Sequence, residues 1–176
     1  MKGVDETDFV RRDYMKLYHG SNKYIENELI PHKSFHYKPL VYTTSNYYYA
    51  LVRAGKFDIN KLTFKEDYDG VTFTLIELAP NAFEEVFNTD GYIYEVDNSL
   101  FIHTDELMPN EYISQYNCAI IKTIHIENIG KEIGMRFPHI NIIKYEESDD
   151  YWKTVRGGRE GYLQRRKERV EKLCKN

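Results

Sequence analysis

Apolar and β-branched residues alternate with polar ones over several short stretches of the chain, and polar turns separate these stretches. An alternation with a period of two residues is typical of half-buried β-strands, whose side chains point to opposite faces in turn. The pattern therefore predicts five to seven short strands, with candidates at residues 16–19, 40–43, 71–78, 92–96, 111–114, 119–126 and 140–145.

Fewer helices than strands are predicted. Ser45 is a residue type that caps helix N-termini, so a helix is expected at residues 46–54, and Gly55 is placed to end it. Because the strands do not alternate strictly with long helices, a doubly wound parallel sheet is disfavoured. The sequence predicts an α+β fold with a mostly antiparallel sheet. Further helical segments are expected at residues 7–15, 80–87 and 161–174.

The composition fits a folded protein with a substantial core. The chain has 176 residues, of which 41% are hydrophobic and 30% are charged. No repeat or linker divides it, so residues 1–176 are predicted to form one domain with a basic helical segment at about 147–176. The N-terminal part has no long apolar run, so we expect a cytoplasmic protein with no membrane partner.

Positive charge is concentrated near the C-terminus. Residues 151–176 contain nine Lys and Arg against three Asp and Glu, a net charge of +6, whereas the whole chain carries −4. The favoured interpretation is a solvated helix face on which Glu168 and Lys172 pair at a spacing of four residues. Contact with the phosphates of a nucleic acid is the alternative.

The common cysteine, metal and nucleotide motifs are missing from the sequence. Cys118 and Cys174 are far apart along the chain, which indicates neither a disulfide framework nor a zinc site, and Cys118 beside an apolar strand is interpreted as a packing residue. There is no glycine-rich dinucleotide fingerprint, P-loop or His-Glu-x-x-His motif. Gly157 and Gly158 are interpreted as a turn.

Three segments carry the candidate chemistry. A predicted strand ends in His-Gly-Ser, a second strand carries a tyrosine and turns into a tyrosine-rich helix, and a later strand opens with a glutamate. The candidate residues are His19, Gly20 and Ser21 in the first segment, Tyr42, Ser45 and Tyr49 in the second, and Glu111 in the third.

In order and spacing, these segments resemble the signatures of the ADP-ribosyltransferases, in the diphtheria-toxin and poly(ADP-ribose) polymerase branch with its His-Tyr-Glu motif. The resemblance covers residues 16–126. It implies two small antiparallel sheets with a cleft for NAD⁺ between them, and transfer of ADP-ribose from NAD⁺ to an acceptor. It also implies catalytic roles for His19, Tyr42 and Glu111, and NAD⁺ contacts by His19, Gly20, Ser21, Tyr42, Ser45 and Tyr49.

The chemistry of such a transfer requires these residue types independently of the resemblance. Breaking the bond between nicotinamide and ribose develops positive charge on the ribose, which a fixed carboxylate stabilises. Glu111 is the favoured carboxylate and Glu95 the alternative. The ring of Tyr42 offers a flat face for the nicotinamide, and one of Tyr47, Tyr48 or Tyr49 would form a second aromatic wall. The backbone of Gly20 can approach a carboxamide closely, and His19 would hydrogen-bond the other ribose.

Other functions remain open. Pro109 occupies the position two residues before Glu111, so the Gln/Glu-x-Glu pattern of the relatives that modify arginine and asparagine is missing. Modification of arginine is therefore disfavoured. An RNA 2′-phosphotransferase is the runner-up among enzymes, but that relative depends on several arginines, and only Arg53 lies within residues 16–126. The alternatives outside catalysis are a module that binds NAD⁺ or ADP-ribose without turnover, and a nucleic-acid adaptor built on the basic helix.

The acceptor expected from the resemblance is an intracellular macromolecule, either a nucleic acid or a protein. The basic C-terminal segment tilts the expectation toward nucleic acid. The biological settings that fit are a toxin of a toxin–antitoxin pair, a phage-defence factor and a phage-encoded effector. In the first of these, an antitoxin or another inhibitor would be a partner.

Overall fold

The computed structural model describes residues 15–33, 39–58, 60–66, 69–104 and 110–173. The helix expected at residues 7–15 lies outside the described residues except for Met15, and Cys174 lies outside them too. Within the described ranges the chain forms eleven strands and five α-helices. In chain order these are β1 (Leu17–Ser21), β2 (Glu28–Leu29), β3 (His32–Lys33), β4 (Pro39–Thr44), α1 (Tyr47–Ala54), β5 (Leu62–Glu66), β6 (Phe73–Glu77), α2 (Ala82–Phe87), β7 (Gly91–Val96), β8 (Ile102–Thr104), β9 (Glu111–Ser114), β10 (Cys118–Ile126), α3 (Ile129–Gly134), β11 (Ile140–Ile143), a 3-10 turn (Tyr145–Glu147), α4 (Asp149–Thr154) and α5 (Gly158–Leu173).

The strands form two sheets. The larger sheet has eight strands in the order β2-β10-β7-β1-β4-β9-β8, with β3 also paired to β4, and all of these pairs are antiparallel. In the smaller sheet, β6 pairs with β5 in the antiparallel sense and with β11 in the parallel sense. The fold is therefore mixed α+β with mostly antiparallel sheets, which confirms that level of the sequence prediction.

All seven predicted strands are present as β1, β4, β6, β7, β9, β10 and β11, with ends shifted by at most two residues. The prediction missed β2, β3, β5 and β8, and the short helix α3, whereas α4 and α5 both lie within the helical segment predicted at about 147–176. Three of the missed strands have only two or three residues, too few to show a period of two. The fourth, β5, ends on two charged residues that hide its alternation.

Helix α1 lies between the two sheets. The main core cluster joins buried residues of α1 with residues of β5, β6 and β7. A Cβ atom on Gly20 would lie 1.9 Å from the carbonyl oxygen of Ala50, and one on Gly91 would lie 2.3 Å from that of Ala54. Glycine at these two positions therefore allows the backbone of α1 to pack directly on β1 and β7. The helix ends at Gly55, as predicted.

The start of α1 differs from the prediction. Asn46, and not Ser45, is the N-cap, and its side-chain oxygen accepts hydrogen bonds from the backbone N–H groups of Tyr48 and Tyr49 at 2.9 and 3.2 Å. Both residue types are good caps, so the sequence alone did not decide between these neighbours. Ser45 instead acts through its backbone N–H, which donates to the carbonyl oxygen of Asn110 at 3.2 Å.

The two C-terminal helices, α4 and the basic α5, pack against the smaller sheet. Trp152 of α4 is buried in a cluster with residues of β6 and β11, and the hydroxyl group of Tyr162 on α5 forms a hydrogen bond with that of Thr63 on β5. The guanidinium group of Arg159 lies over the ring of Tyr145, with its central carbon 4.2 Å from the ring centroid. Part of the positive charge in this segment therefore takes part in packing.

A glycine turn joins α4 to α5. Gly157 and Gly158 have φ angles of 74° and 61°, in the left-handed region that favours glycine, so the turn interpretation of this pair is confirmed. On α5, Gln164 donates to the carboxylate of Glu168 at 2.9 Å, whereas the side chain of Lys172 lies outside the described part of the chain. No helix in the described ranges is long and apolar enough to cross a membrane.

Candidate functional site

A cavity of about 270 Å³ opens between α1 and the strands β1, β3, β4 and β9. All four strands belong to the larger sheet, so the lining differs from the expected cleft between two sheets. This volume is slightly below the common range for small-molecule sites, about 300–1,000 Å³, and suits one portion of a larger ligand. The lining residues are Tyr18, His19, Gly20, His32, Tyr42, Thr43, Thr44, Tyr49, Ala50, Arg53 and Glu111.

Three neighbouring strands bring the catalytic candidates together. His19 lies on β1, Tyr42 on β4 and Glu111 on β9, and these strands are adjacent in the order β1-β4-β9. Thr44 lies opposite Glu111 in the register of β4 and β9, and Tyr42 lies opposite the residue two positions after Glu111. Side chains two positions apart share a sheet face, so Tyr42 and Glu111 both face the side on which α1 packs.

His19 reaches the same cavity from the junction between β1 and β4. Its Nδ1 atom lies 2.7 Å from the carbonyl oxygen of Tyr42. A carbonyl oxygen can only accept, so Nδ1 carries the proton and Nε2 of the neutral ring is an acceptor. Burial lowers the pKa of His19 from 6.5, more than the hydrogen bond to Tyr42 raises it. His19 is therefore mostly neutral at pH 7, with one acceptor nitrogen.

Glu111 is the most perturbed acidic group of the cavity. Burial raises the pKa of its carboxyl group from 4.5 to about 6, against an opposing effect of the positive charge on Arg53. Its Oε2 atom is buried and, among the residues that the structure describes, forms no hydrogen bond. A buried carboxylate oxygen without a donor is energetically costly, and a ligand hydroxyl group or a developing positive charge would satisfy it.

The wall formed by α1 adds one expected residue and one that the sequence analysis did not place in the site. Tyr49 lines the cavity, as expected for a second aromatic wall. The Nε and Nη2 atoms of Arg53, one helical turn later, donate to the Tyr49 hydroxyl oxygen at 3.2 and 2.9 Å. The i, i+4 spacing of these two residues was visible in the sequence. His32 on β3 also lines the cavity, and no sequence pattern indicated it.

The remaining predicted contacts have different structural roles. Gly20 lines the cavity, but the contact that requires glycine there is the one with α1. Ser21 and Ser45 are not among the lining residues, and the hydroxyl oxygen of Ser21 accepts a hydrogen bond from the backbone N–H of Lys23 at 3.1 Å. Of the candidate residues, those that the structure brings together are His19, Gly20, Tyr42, Tyr49 and Glu111.

The alternative carboxylate, Glu95, lies outside the cavity lining. It is only 7% exposed and forms an ion pair with Lys16, whose Nζ atom lies 3.3 Å from its Oε2 atom. Cys118 is buried in the second core cluster, which confirms that it is a packing residue. The described ranges contain no group of three or more His, Cys, Asp or Glu side chains that could hold a metal ion.

Comparison of the chain with protein-family models, with curated proteins and with solved structures found no match. The geometry of the cavity and the chemistry of its side chains therefore carry the functional argument.

Proposed function

We propose that the protein is an NAD-dependent ADP-ribosyltransferase of the His-Tyr-Glu type that modifies an intracellular macromolecule. The observation that carries the proposal is the Oε2 atom of Glu111, a buried carboxylate oxygen without a hydrogen-bond donor in a cavity shared with His19 and Tyr42. A solvated surface glutamate has no such need for a partner. The α+β fold with mostly antiparallel sheets is compatible with this enzyme class.

The cavity side chains fit the two halves of the reaction. The bond between the nicotinamide nitrogen and the ribose carbon breaks, and its electron pair leaves with the nicotinamide, which becomes neutral. The ribose carbon gains positive charge, which the Glu111 carboxylate stabilises. An acceptor nucleophile then forms the new bond to this carbon and gives up a proton, which Glu111 or water takes. Because the pKa of Glu111 is about 6, the group is mostly ionised at pH 7 and is still able to accept a proton.

Aromatic and histidine groups supply binding in this proposal. Tyr42 offers a ring face for the flat nicotinamide. The ring of Tyr49 is buried against Phe64 and Phe73 and lies under Arg53, so Tyr49 shapes the wall of the cavity. The acceptor nitrogen Nε2 of His19 matches a ribose hydroxyl donor, and its hydrogen bond to the Tyr42 carbonyl fixes the orientation of the ring. This arrangement gives His19 an anchoring role rather than a proton-transfer role.

The competing functions fit the cavity less well. An RNA 2′-phosphotransferase would need several arginines, and Arg53 is the one arginine among the lining residues of the described structure. A module that binds NAD⁺ or ADP-ribose without turnover would not need a carboxylate in the cleft, yet Glu111 lines the cavity. A nucleic-acid adaptor would leave the cavity unexplained.

The acceptor is proposed to be a nucleic acid or a protein inside the cell. On α5, Arg165 and Lys167 are exposed and available for phosphate contacts, whereas Arg166 is half-buried. Incubating the protein with labelled NAD⁺ and a cell extract, followed by nuclease or protease digestion, would identify the class of acceptor. Exposed charge on this helix keeps nucleic acid as the first class to test.

The decisive experiment measures nicotinamide release from NAD⁺ by the wild type, Glu111→Gln and Glu95→Gln. Each substitution replaces one partly or fully buried carboxylate with a neutral side chain of the same shape, so Glu95→Gln is the matched control. We expect Glu111→Gln to lower turnover by about 100-fold or more and Glu95→Gln to retain it. Equal turnover in the wild type and Glu111→Gln would refute the assignment, and NAD⁺ binding without turnover in the wild type would favour the non-catalytic module.

A further inference from the structure

The cavity has two chemically different sides. Glu111 contributes an acceptor oxygen and His19 an acceptor nitrogen, so this side matches hydroxyl donors. Arg53 on α1 contributes N–H donors and a positive charge, and His32 on β3 contributes an imidazole ring. Among the described residues, the Oε2 atom of Glu111 accepts no hydrogen bond, so it does not bind the guanidinium group of Arg53 directly. A ligand with sugar hydroxyl groups next to an anionic group would match both sides.

Arg53 is held in position before any ligand arrives. Two of its guanidinium nitrogens donate to the hydroxyl oxygen of Tyr49, and its central carbon lies 5.3 Å from the ring centroid of Tyr49 and 5.1 Å from that of Phe57. Stacking on aromatic rings fixes the plane of a guanidinium group. An arginine fixed in this way loses little conformational freedom when it binds an anion.

Arg53 and His32 line the same cavity as His19. Burial lowers the pKa of His19 most and the hydrogen bond to Tyr42 raises it, and smaller lowering effects of His32 and then Arg53 indicate that both groups lie near His19. The positive charge of Arg53 would attract an anion at this end of the cavity.

We propose that Arg53 and His32 form a phosphate-binding site at one end of the cavity, which selects nucleotides over nucleosides. A guanidinium group carries five N–H donors, so Arg53 is able to donate to a phosphate as well as to Tyr49, and an imidazole N–H supplies a further donor. The neighbouring hydroxyl-binding groups favour a phosphate attached to a sugar over a free carboxylate. The assignment to the pyrophosphate of NAD⁺ rests on the proposed function, whereas the phosphate site itself does not.

Calorimetric titration with ADP, adenosine and inorganic pyrophosphate tests the site without any turnover. We expect the wild type to bind ADP at least about tenfold more tightly than adenosine, because hydrogen bonds between charged groups are worth a factor of this order. Arg53→Gln should abolish this preference. Arg136→Gln is the matched control, since Arg136 also lies over a tyrosine ring, that of Tyr47, but is outside the cavity lining. Inorganic pyrophosphate carries no nucleoside, so we expect the wild type to bind it and Arg53→Gln to bind it more weakly.

A second variant protects the test against misfolding, because Arg53 packs on two rings. His32 is exposed, so His32→Gln should fold normally, and we expect it to weaken ADP binding by about two- to tenfold while leaving adenosine binding unchanged. No preference of the wild type for ADP, or a full preference in both Arg53→Gln and His32→Gln, would overturn the proposal.

The outcome of this test is independent of the outcome for catalysis. Arg53-dependent ADP binding by a protein that releases no nicotinamide would leave the phosphate site standing and remove the transferase assignment. Nicotinamide release with an unchanged KM for NAD⁺ in Arg53→Gln would support the transferase assignment and remove the phosphate site. If both proposals hold, Arg53→Gln should raise KM for NAD⁺ at least about tenfold with a smaller effect on kcat at pH 8.

Discussion

Replacing Glu111 by glutamine should make the protein more stable while it removes activity. The pKa of this carboxyl group is about 6 in the folded protein and 4.5 in the absence of its surroundings. The folded state therefore holds the proton more tightly than the unfolded state, and ionisation of Glu111 favours unfolding. This destabilisation is absent below pH 4.5, grows between pH 4.5 and 6, and is complete above pH 6.

The size of the effect follows from the difference of about 1.5 pKa units, at about 1.4 kcal/mol per unit, which gives an upper limit of about 2 kcal/mol. Glu111 is only half-buried in an open cleft, so solvent screening reduces this value, and we expect about 1 kcal/mol. For a chain of this size, Glu111→Gln should raise the melting temperature by about 2–4 °C at pH 7.5.

Thermal unfolding of the wild type and Glu111→Gln at pH 7.5 and at pH 5 measures this difference. The stability gain should shrink at pH 5, where the folded wild type already carries a proton on Glu111. Glu95→Gln is the control, because loss of its ion pair with Lys16 should not stabilise the protein at either pH. A melting temperature of Glu111→Gln equal to or below that of the wild type at pH 7.5 would refute the argument that burial dominates at this site.

Two further predictions concern the same part of the molecule. Gly20→Ala should lower the free energy of unfolding by about 1–3 kcal/mol in urea titrations, because its Cβ would overlap the backbone of α1, whereas Gly134→Ala, with no atom within 4 Å of the new Cβ, should have little effect; equal stability of the two variants would contradict the close packing. The rate of nicotinamide release should fall below a pH of about 6 as Glu111 gains a proton, and Arg53→Gln should move this midpoint upward, because it removes a charge that lowers the pKa of Glu111; a midpoint that stays in place or moves downward would contradict the electrostatic link.

Much of the secondary structure was predictable because it depends on local patterns. A strand with one buried face records a period of two in its sequence, so β1, β4, β7, β9 and β10 were found near their observed ends. The position of α1 followed from a polar cap and a terminal glycine, although the cap is Asn46 and not Ser45. Three of the four missed strands are too short for any pattern to develop.

The candidate site was also predictable only in part. His19, Tyr42 and Glu111 stood out as residue types in three segments, and the structure brings all three to one cavity. Which glutamate lines the cavity did not follow from local sequence, since Glu111 and Glu95 both lie on strands. Only the strand order decided it, because β9 pairs with β4 beside the cavity, whereas Glu95 on β7 pairs with Lys16.

The amino-acid sequence by itself determined where seven of the strands lie, where the central helix ends, and which residue types are able to carry chemistry. The tertiary structure decided which of these residues meet. Arg53 and His32 enter the cavity through the packing of α1 and the pairing of β3 with β4, and Gly20 is required by the approach of α1. The pattern within a segment shows which face of that strand or helix is buried. Contacts between distant segments depend on strand order and register, which no single segment encodes.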